Sequence, residues 1–233
     1  MKTYAIVIKN NLISENAFNV LLNSSKKVGN DFNIEKFEAI TPENLDKTMT
    51  DLGIVWNYPW GNSVYEEDIK MKKNSYSPKE QRSRIACAVS HYILWKQCAE
   101  GDEPFLILEH DAEFTEKLPC QYIIDETILE IIGINHPKRA TRNWDKFYNM
   151  VNDNPNKYQR APQIDKTLEA PQGIAGNSAY ILKPSGAKKL VEAVHKYGLW
   201  PNDAIMCRQL FDLLGVTKTF YTKVQNINST TSK

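Results

Sequence analysis

The chain has 233 residues, 42% of them apolar and 24% charged, enough to bury roughly 70% of its unfolded surface in one substantial domain. Twenty-nine Lys and Arg against 28 Asp and Glu leave a net charge of +1, which excludes the long-range field of a protein held mainly by phosphates or anionic lipid. Apolar runs such as residues 5–8 and 105–108 fall far short of the ~20 residues of a membrane span. The run after Met1-Lys2-Thr3 is too short for the core of a secretory signal, so a cytoplasmic location is expected, the host cytoplasm if the source is viral.

Strand and helix signals alternate from the start, predicting an α/β sheet with crossover helices. Residues 4–8 read as an apolar strand, with Ser14 capping a helix that runs to about residue 23. Residues 30–39 alternate Phe32, Ile34 and Phe37 as a second strand, and Thr41-Pro42-Glu43 reads as a helix start. Residues 53–77 are irregular and carry Trp56, Tyr58, Trp60, Tyr65 and Tyr76; these aromatics either plug the core or stack on a sugar or base. Ser77-Pro78-Lys79-Glu80 forms a capping box for the best-specified helix. There Ile85, Ala88, Val89, Tyr92, Trp95 and Ala99 recur as one apolar stripe to Gly101, with Arg84 and His91 flanking the same side.

Residues 104–108 form an apolar run suited to a central strand, and the run stops abruptly at Glu109-His110-Asp111. A helix over 121–129 and a short strand through Ile134 follow. Residues 135–162 carry six Lys or Arg against two Asp, interleaved with Trp144, Phe147, Tyr148 and Tyr158, and 135–170 reads as an irregular basic insertion. Order then resumes with a turn at 173–176, a strand at 178–182, a helix over 184–197 ended by Gly198, a helix from Pro201 through Leu214, and a strand at 219–224. Residues 225–233 read as a polar tail that frays. Cys87, Cys98, Cys120 and Cys207 lack metal-cluster or disulfide spacing and read as buried free thiols.

The sharpest chemical signal is the acidic exit of the 104–108 strand. Ligands collect at the carboxyl ends of strands in open α/β sheets, and alternation points Glu109 and Asp111 the same way. Two carboxylates on one spot suit Mg2+ or Mn2+, although strand ends are also acidic simply because they are solvated. His91 reads as a buried, hydrogen-bonded histidine or as a site residue, and Asp203 as an ordinary first-turn acid or as a base. No G-x-G-x-x-G follows the first strand, and no P-loop, G-x-S-x-G or H-E-x-x-H motif is present.

Four segments, residues 82–91 (Arg-Ser-Arg-Ile-Ala-Cys-Ala-Val-Ser-His), 105–114, 176–190 and Pro201 to Asp203, together resemble glycosyltransferase family 25, which includes lipopolysaccharide-type sugar transferases and collagen galactosyltransferase domains. The family usually shows Gly-Glu-Ile-Gly-Cys-Ala-Leu-Ser-His before the strand and Glu-Asp-Asp after it. Here Arg84 and Ala86 replace the Glu and second Gly, and His110 replaces the middle Asp. Asn10-Asn11 is similar to the family's Asn-Leu after the first strand. The resemblance implies a single GT-A-like α/β domain with a mostly parallel sheet, Mn2+ or Mg2+ at Glu109 and Asp111, and donor contacts from Asn10, Arg82, Ser90, His91, Glu109 and Asn177. It also implies an inverting reaction with Asp203 as the base.

Two classes of function are therefore expected. The first is a metal-dependent transferase that moves a sugar from a nucleotide-diphosphate donor, uridine-type favoured, to a hydroxyl of a glycan or lipopolysaccharide, or of a hydroxylated base in viral DNA. The second is a non-catalytic module that binds a nucleotide sugar or a partner on a transferase-like fold.

Overall fold

The computed structural model describes residues 1–75, 80–138, 140, 143–165, 167 and 169–227. In chain order the elements are β1 (Lys2–Val7), α1 (Leu12–Lys27), β2 (Glu35–Glu38), α2 (Leu45–Leu52), the hairpin β3 (Val64–Glu66) and β4 (Met71–Lys73), and α3 (Gln81–Glu100). They continue as β5 (Phe105–Glu109), β6 (Ala112–Phe114), α4 (Cys120–Glu126), β7 (Ile131–Gly133), α5 (Trp144–Asp153), β8 (Tyr158–Arg160) and β9 (Ala179–Leu182). The chain closes with α6 (Pro184–Tyr197), α7 (Asn202–Ile205), β10 (Leu214–Thr217) and β11 (Thr222–Val224).

The expected α/β class holds. Seven strands form one sheet in the order β2-β1-β5-β9-β7-β10-β8. β1 pairs in parallel with β2 and β5, and β7 with β10; β9 runs antiparallel between β5 and β7, and β8 is an antiparallel edge on β10. The sheet is thus mixed, with five of its seven strands pointing one way. Strand alternation sorts its side chains between two cores. Phe105, Ile107, Tyr180 and Leu182 face α3 and α6, while Leu106, Leu108, Ala179 and Ile181 face the side of α1 and α4. β5 is buried along its apolar length, so the first position at which it can meet solvent is Glu109.

Several expected boundaries move for identifiable reasons. Asn11, not Ser14, caps α1, its Oδ1 accepting from the Ser14 amide at 3.0 Å, while Ser14 Oγ accepts from Ile8 N–H at 2.9 Å. Residues 41–44 form a turn in which Asn44 Oδ1 accepts from Thr41 N–H, and α2 begins only at Leu45. The second strand is confined to Glu35–Glu38, and the irregular 53–77 stretch contains the β3–β4 hairpin, with residues 76–79, and so most of the capping box, outside the described residues. α3 is not a one-stripe helix, because Ala86, Ser90, Leu94 and Cys98 are buried beside the expected positions; it packs against α2, α6 and α7 as well as the sheet. The segment read as an irregular insertion contains α5 and β8. The helix expected from Pro201 to Leu214 stops at Ile205, since residues 206–213 turn back and Leu214–Thr217 enter the sheet between β7 and β8. β11 is Thr222–Val224 and pairs with β6 outside the main sheet.

The aromatic loop is largely structural. Trp56 stacks on Trp60 at 4.9 Å and Tyr58 tilts against the buried Trp200 at 5.8 Å, whereas Tyr65 is exposed. Cys98 and Cys207 are buried, Cys87 and Cys120 half-buried, and burial pushes all four thiols upward, to about 12 for Cys98, Cys120 and Cys207, so all are neutral near pH 7.

Candidate active site

The site forms where β5 ends and the chain turns through His110 and Asp111 into β6. α3 lies over this exit and α7 flanks it. Two cavities meet there. The first lies between the ends of β1 and β5, the 39–42 segment and α3; Ser90, His91, His110 and Asp111 line it. The second is bounded by loop residues 162–165 and 170–178 and by α7, with Asn143, Asp165, Asn177 and Asp203 in its wall. Arg84 and Glu109 line both, so the strand exit is the shared wall.

One side of Glu109 is a completed hydrogen-bond chain. Trp95 Nε1–H donates to Tyr180 Oη at 2.7 Å, Tyr180 Oη lies 2.8 Å from His91 Nδ1, and His91 Nε2 lies 3.3 Å from Glu109 Oε1. Indole can only donate, which leaves the Tyr180 hydroxyl proton for His91 Nδ1 and the Nε2 proton for the carboxylate. His91, Trp95 and Tyr180 are fully buried. Burial alone would raise the Glu109 pKa, but the hydrogen bond from His91, helped by the neighbouring His110 and Arg84, outweighs it and holds the carboxyl below its usual range.

Asp111 behaves oppositely. Burial and the neighbouring Glu109 charge push it up to about 7, and its Oδ1 is buried without a hydrogen-bond partner. Two carboxylates with opposed shifts and an unsatisfied oxygen fit a hard divalent cation, which would relieve their repulsion. Cys87 Sγ, His91 and Glu109 also lie within 4.8 Å of one another. That set carries a neutral thiol and an imidazole whose nitrogens are both engaged, so the oxygen pair is the better fit for Mn2+ or Mg2+.

Asp203 lies in the first turn of α7 and reaches solvent in the second cavity. The protein crowded around it raises its pKa, Arg84 opposes that shift and Glu109 adds to it. Asn177 lines the same cavity, is 7% exposed, and has neither amide atom hydrogen-bonded. The loop beside it packs without slack: a Cβ at Gly173 would sit 2.1 Å from the Met206 carbonyl oxygen.

The structure therefore brings Ser90, His91, Glu109, Asp111, Asn177 and Asp203 to the paired cavities. Ser90 stands there as a brace, its hydroxyl accepting from Ile40 N–H and donating to Ala86 O. Arg82 is not among the residues lining either cavity; its guanidinium grips the Asp46 carboxylate at 3.0 and 3.1 Å and the Pro42 carbonyl at 2.7 Å. Asn10 also stays outside them, in the turn after β1, where its φ of 59° uses the tolerance of asparagine for left-handed backbone. Tyr180 and Trp95 were legible only as core residues, and Gln225, which binds the 110–112 turn, as the start of a polar tail. A hydroxyl or indole N–H amid apolar residues was the one available signal.

Residues 8–206 match the family model described as glycosyltransferase family 25 (LPS biosynthesis protein). No curated protein matches the chain. Among solved structures, an active-site mutant of LgtC and the galactosyltransferase LgtC in complex with donor and acceptor sugar analogs each show 11% identity over 91% of this chain and 70% of theirs, with a TM-score of 0.42. The apo form of mouse xyloside xylosyltransferase 1 shows 10% identity over 90% of this chain and 80% of its own, with a TM-score of 0.40. With the family model spanning the strand exit, the cavity walls and α7, the chain belongs to glycosyltransferase family 25.

Proposed function

We propose that the protein transfers a sugar from a nucleotide-diphosphate donor, uridine-type favoured, to a hydroxyl of a glycan acceptor, with inversion at the sugar. The observation that carries this reading is the pair of acids at the end of a buried strand, Glu109 in the wall shared by two cavities and Asp111 lining the first, with a third acid, Asp203, across the second. In this assignment the donor occupies the first cavity and the acceptor the second. Glu109 and Asp111 would hold Mn2+ or Mg2+, which when bound supplies positive charge against the donor diphosphate.

The remaining work falls to the chain's own side chains. His91 keeps the Glu109 carboxylate oriented and ionised through the Nε2 hydrogen bond, itself fixed by Tyr180 and Trp95. Asp203, with its pKa raised, takes the proton of the acceptor hydroxyl. Asn177 offers one donor and one acceptor to a sugar hydroxyl pair.

A glycan acceptor is favoured over DNA because much of the basic segment is already engaged. Lys146 donates to Ile164 O, Arg160 pairs with Asp212, and Lys157 lies over the Tyr122 ring. Arg139 and Arg142 lie outside the described residues, and Lys138 is exposed. Among the described residues no helix is long and apolar enough to cross a membrane.

A thermal-shift panel of nucleotide sugars with Mn2+ or chelator tests the proposal, because a ligand that binds only the native state raises the midpoint. Stabilisation by a uridine-type donor that requires Mn2+ and is lost in Asp111→Asn is expected. Equal shifts in the variant, or shifts indifferent to chelator, would remove the metal assignment. Donor binding without transfer to any acceptor would instead leave the non-catalytic reading standing.

A further inference from the structure

We infer that Gln225 is a positioning residue for the acidic turn, and so for the cation that Glu109 and Asp111 hold; this rests on the metal reading above. Its backbone N–H donates to Asp111 O at 2.8 Å. Its side-chain Nε2, with two hydrogens for three acceptors, donates to Ala17 O in α1 at 2.9 Å and to the turn carbonyls Ala112 O at 3.1 Å and His110 O at 3.4 Å, so one hydrogen is shared. Three successive carbonyls, of residues 110, 111 and 112, are thereby held by one residue that is itself only 8% exposed.

The geometry has a direct consequence for the carboxylate. β5 ends at Glu109 and β6 begins at Ala112, so the regular pairing of both strands stops short of His110 and Asp111. The peptide planes on either side of Asp111 set where its Cβ points, and Gln225 pins both of them from the position just after β11, while tying the turn to α1. Only a neutral side chain with two amide hydrogens at this reach suits the position. A carboxylate would face three carbonyl oxygens, and an ammonium would add a charge beside the acid pair. Gln225 also lies beyond the segment 8–206 that the family model matches, so this support comes from outside the matched part of the chain.

The test uses the full-length chain and Mn2+ with UDP as the probe, following Mn2+ affinity by electron paramagnetic resonance at a temperature where circular dichroism shows each variant folded. Gln225→Met keeps the length and loses the donors. Gln225→Asn keeps the amide but withdraws it by one methylene, and stands in if the Met variant does not fold. Thr222→Val, which removes the 3.0 Å hydrogen bond from Thr222 Oγ1 in β11 to Asn135 Oδ1, is the control for general loosening of the strand that leads into Gln225. Mn2+ affinity about tenfold weaker in Gln225→Met, intermediate in Gln225→Asn and unchanged in Thr222→Val is expected. Wild-type affinity in both Gln225 variants, or equal weakening in the Thr222 control, overturns the positioning role alone. A wild-type chain that does not bind Mn2+ overturns the metal reading and this inference with it.

Discussion

The two sides of the strand exit are built on opposite principles. Toward α3, every buried polar atom of the Trp95, Tyr180 and His91 chain is hydrogen-bonded up to Glu109; toward the turn and the second cavity, Asp111 Oδ1 and both amide atoms of Asn177 are buried without partners. Satisfied networks in a low-dielectric interior hold geometry, whereas an unpaired buried group costs about 1–3 kcal/mol and is tolerated where something else completes it. Under the proposed function, the first side positions and the second binds. Substitutions on the two sides should fail differently, which gives a way to break the contrast.

The largest effect belongs to the reacting side. Asp203→Asn is expected to lower sugar transfer by about 10²–10⁴-fold, the contribution of a general base, while the donor-induced thermal shift persists. A transfer rate within a few-fold of wild type would move the base elsewhere in the second cavity.

Next comes the pH dependence of the metal-free chain. The folded-state pKa of Asp111 is raised, to about 7, so the folded state binds this proton more tightly than the unfolded state. Stability from this group is present below the ordinary carboxylate range and is lost as pH rises from about 4 through 7, by an amount on the order of 2–4 kcal/mol. Asp111→Asn should flatten that decline in urea titrations at pH 5 and pH 8. An unchanged slope would mean that the Asp111 oxygen finds a partner in solution.

On the satisfied side, Tyr180→Phe strips the partner from both Trp95 Nε1 and His91 Nδ1 and should cost about 2–3 kcal/mol of unfolding free energy, with transfer reduced through a less firmly held Glu109. Full activity at reduced stability would show that the chain braces the fold without orienting the acid. The smallest effect is expected at Arg82. Because its guanidinium is engaged with Asp46 and Pro42 at the surface, Arg82→Ala should leave donor affinity within about twofold of wild type in a titration. A larger loss would return Arg82 to the donor site.

The legible parts of the molecule were those with a local cause. The consecutive apolar residues 105–108 announced a strand covered on both faces, and the acids after it announced the exit; Pro184 and Gly198 bounded α6 at the residues observed. Illegible parts depended on distant partners. Arg82 could be read as a donor contact because nothing near it in the chain reveals Asp46, and residues 206–214 looked helical although the chain turns back there and the sheet claims Leu214–Thr217 between β7 and β8. Gln225 had no local signature at all, since its four acceptors lie more than a hundred positions away in the chain.

Residue order alone determined the α/β alternation, the buried central strand, its acidic end and the family of the chain, because each is written in neighbouring residues through periodicity, capping and motif spacing. Tertiary structure alone decided which of those residues share a cleft, which carboxyl has its pKa lowered and which has it raised, and what clamps the turn between them. Burial and charge proximity are properties of atoms brought together from separate elements, and no local pattern records them.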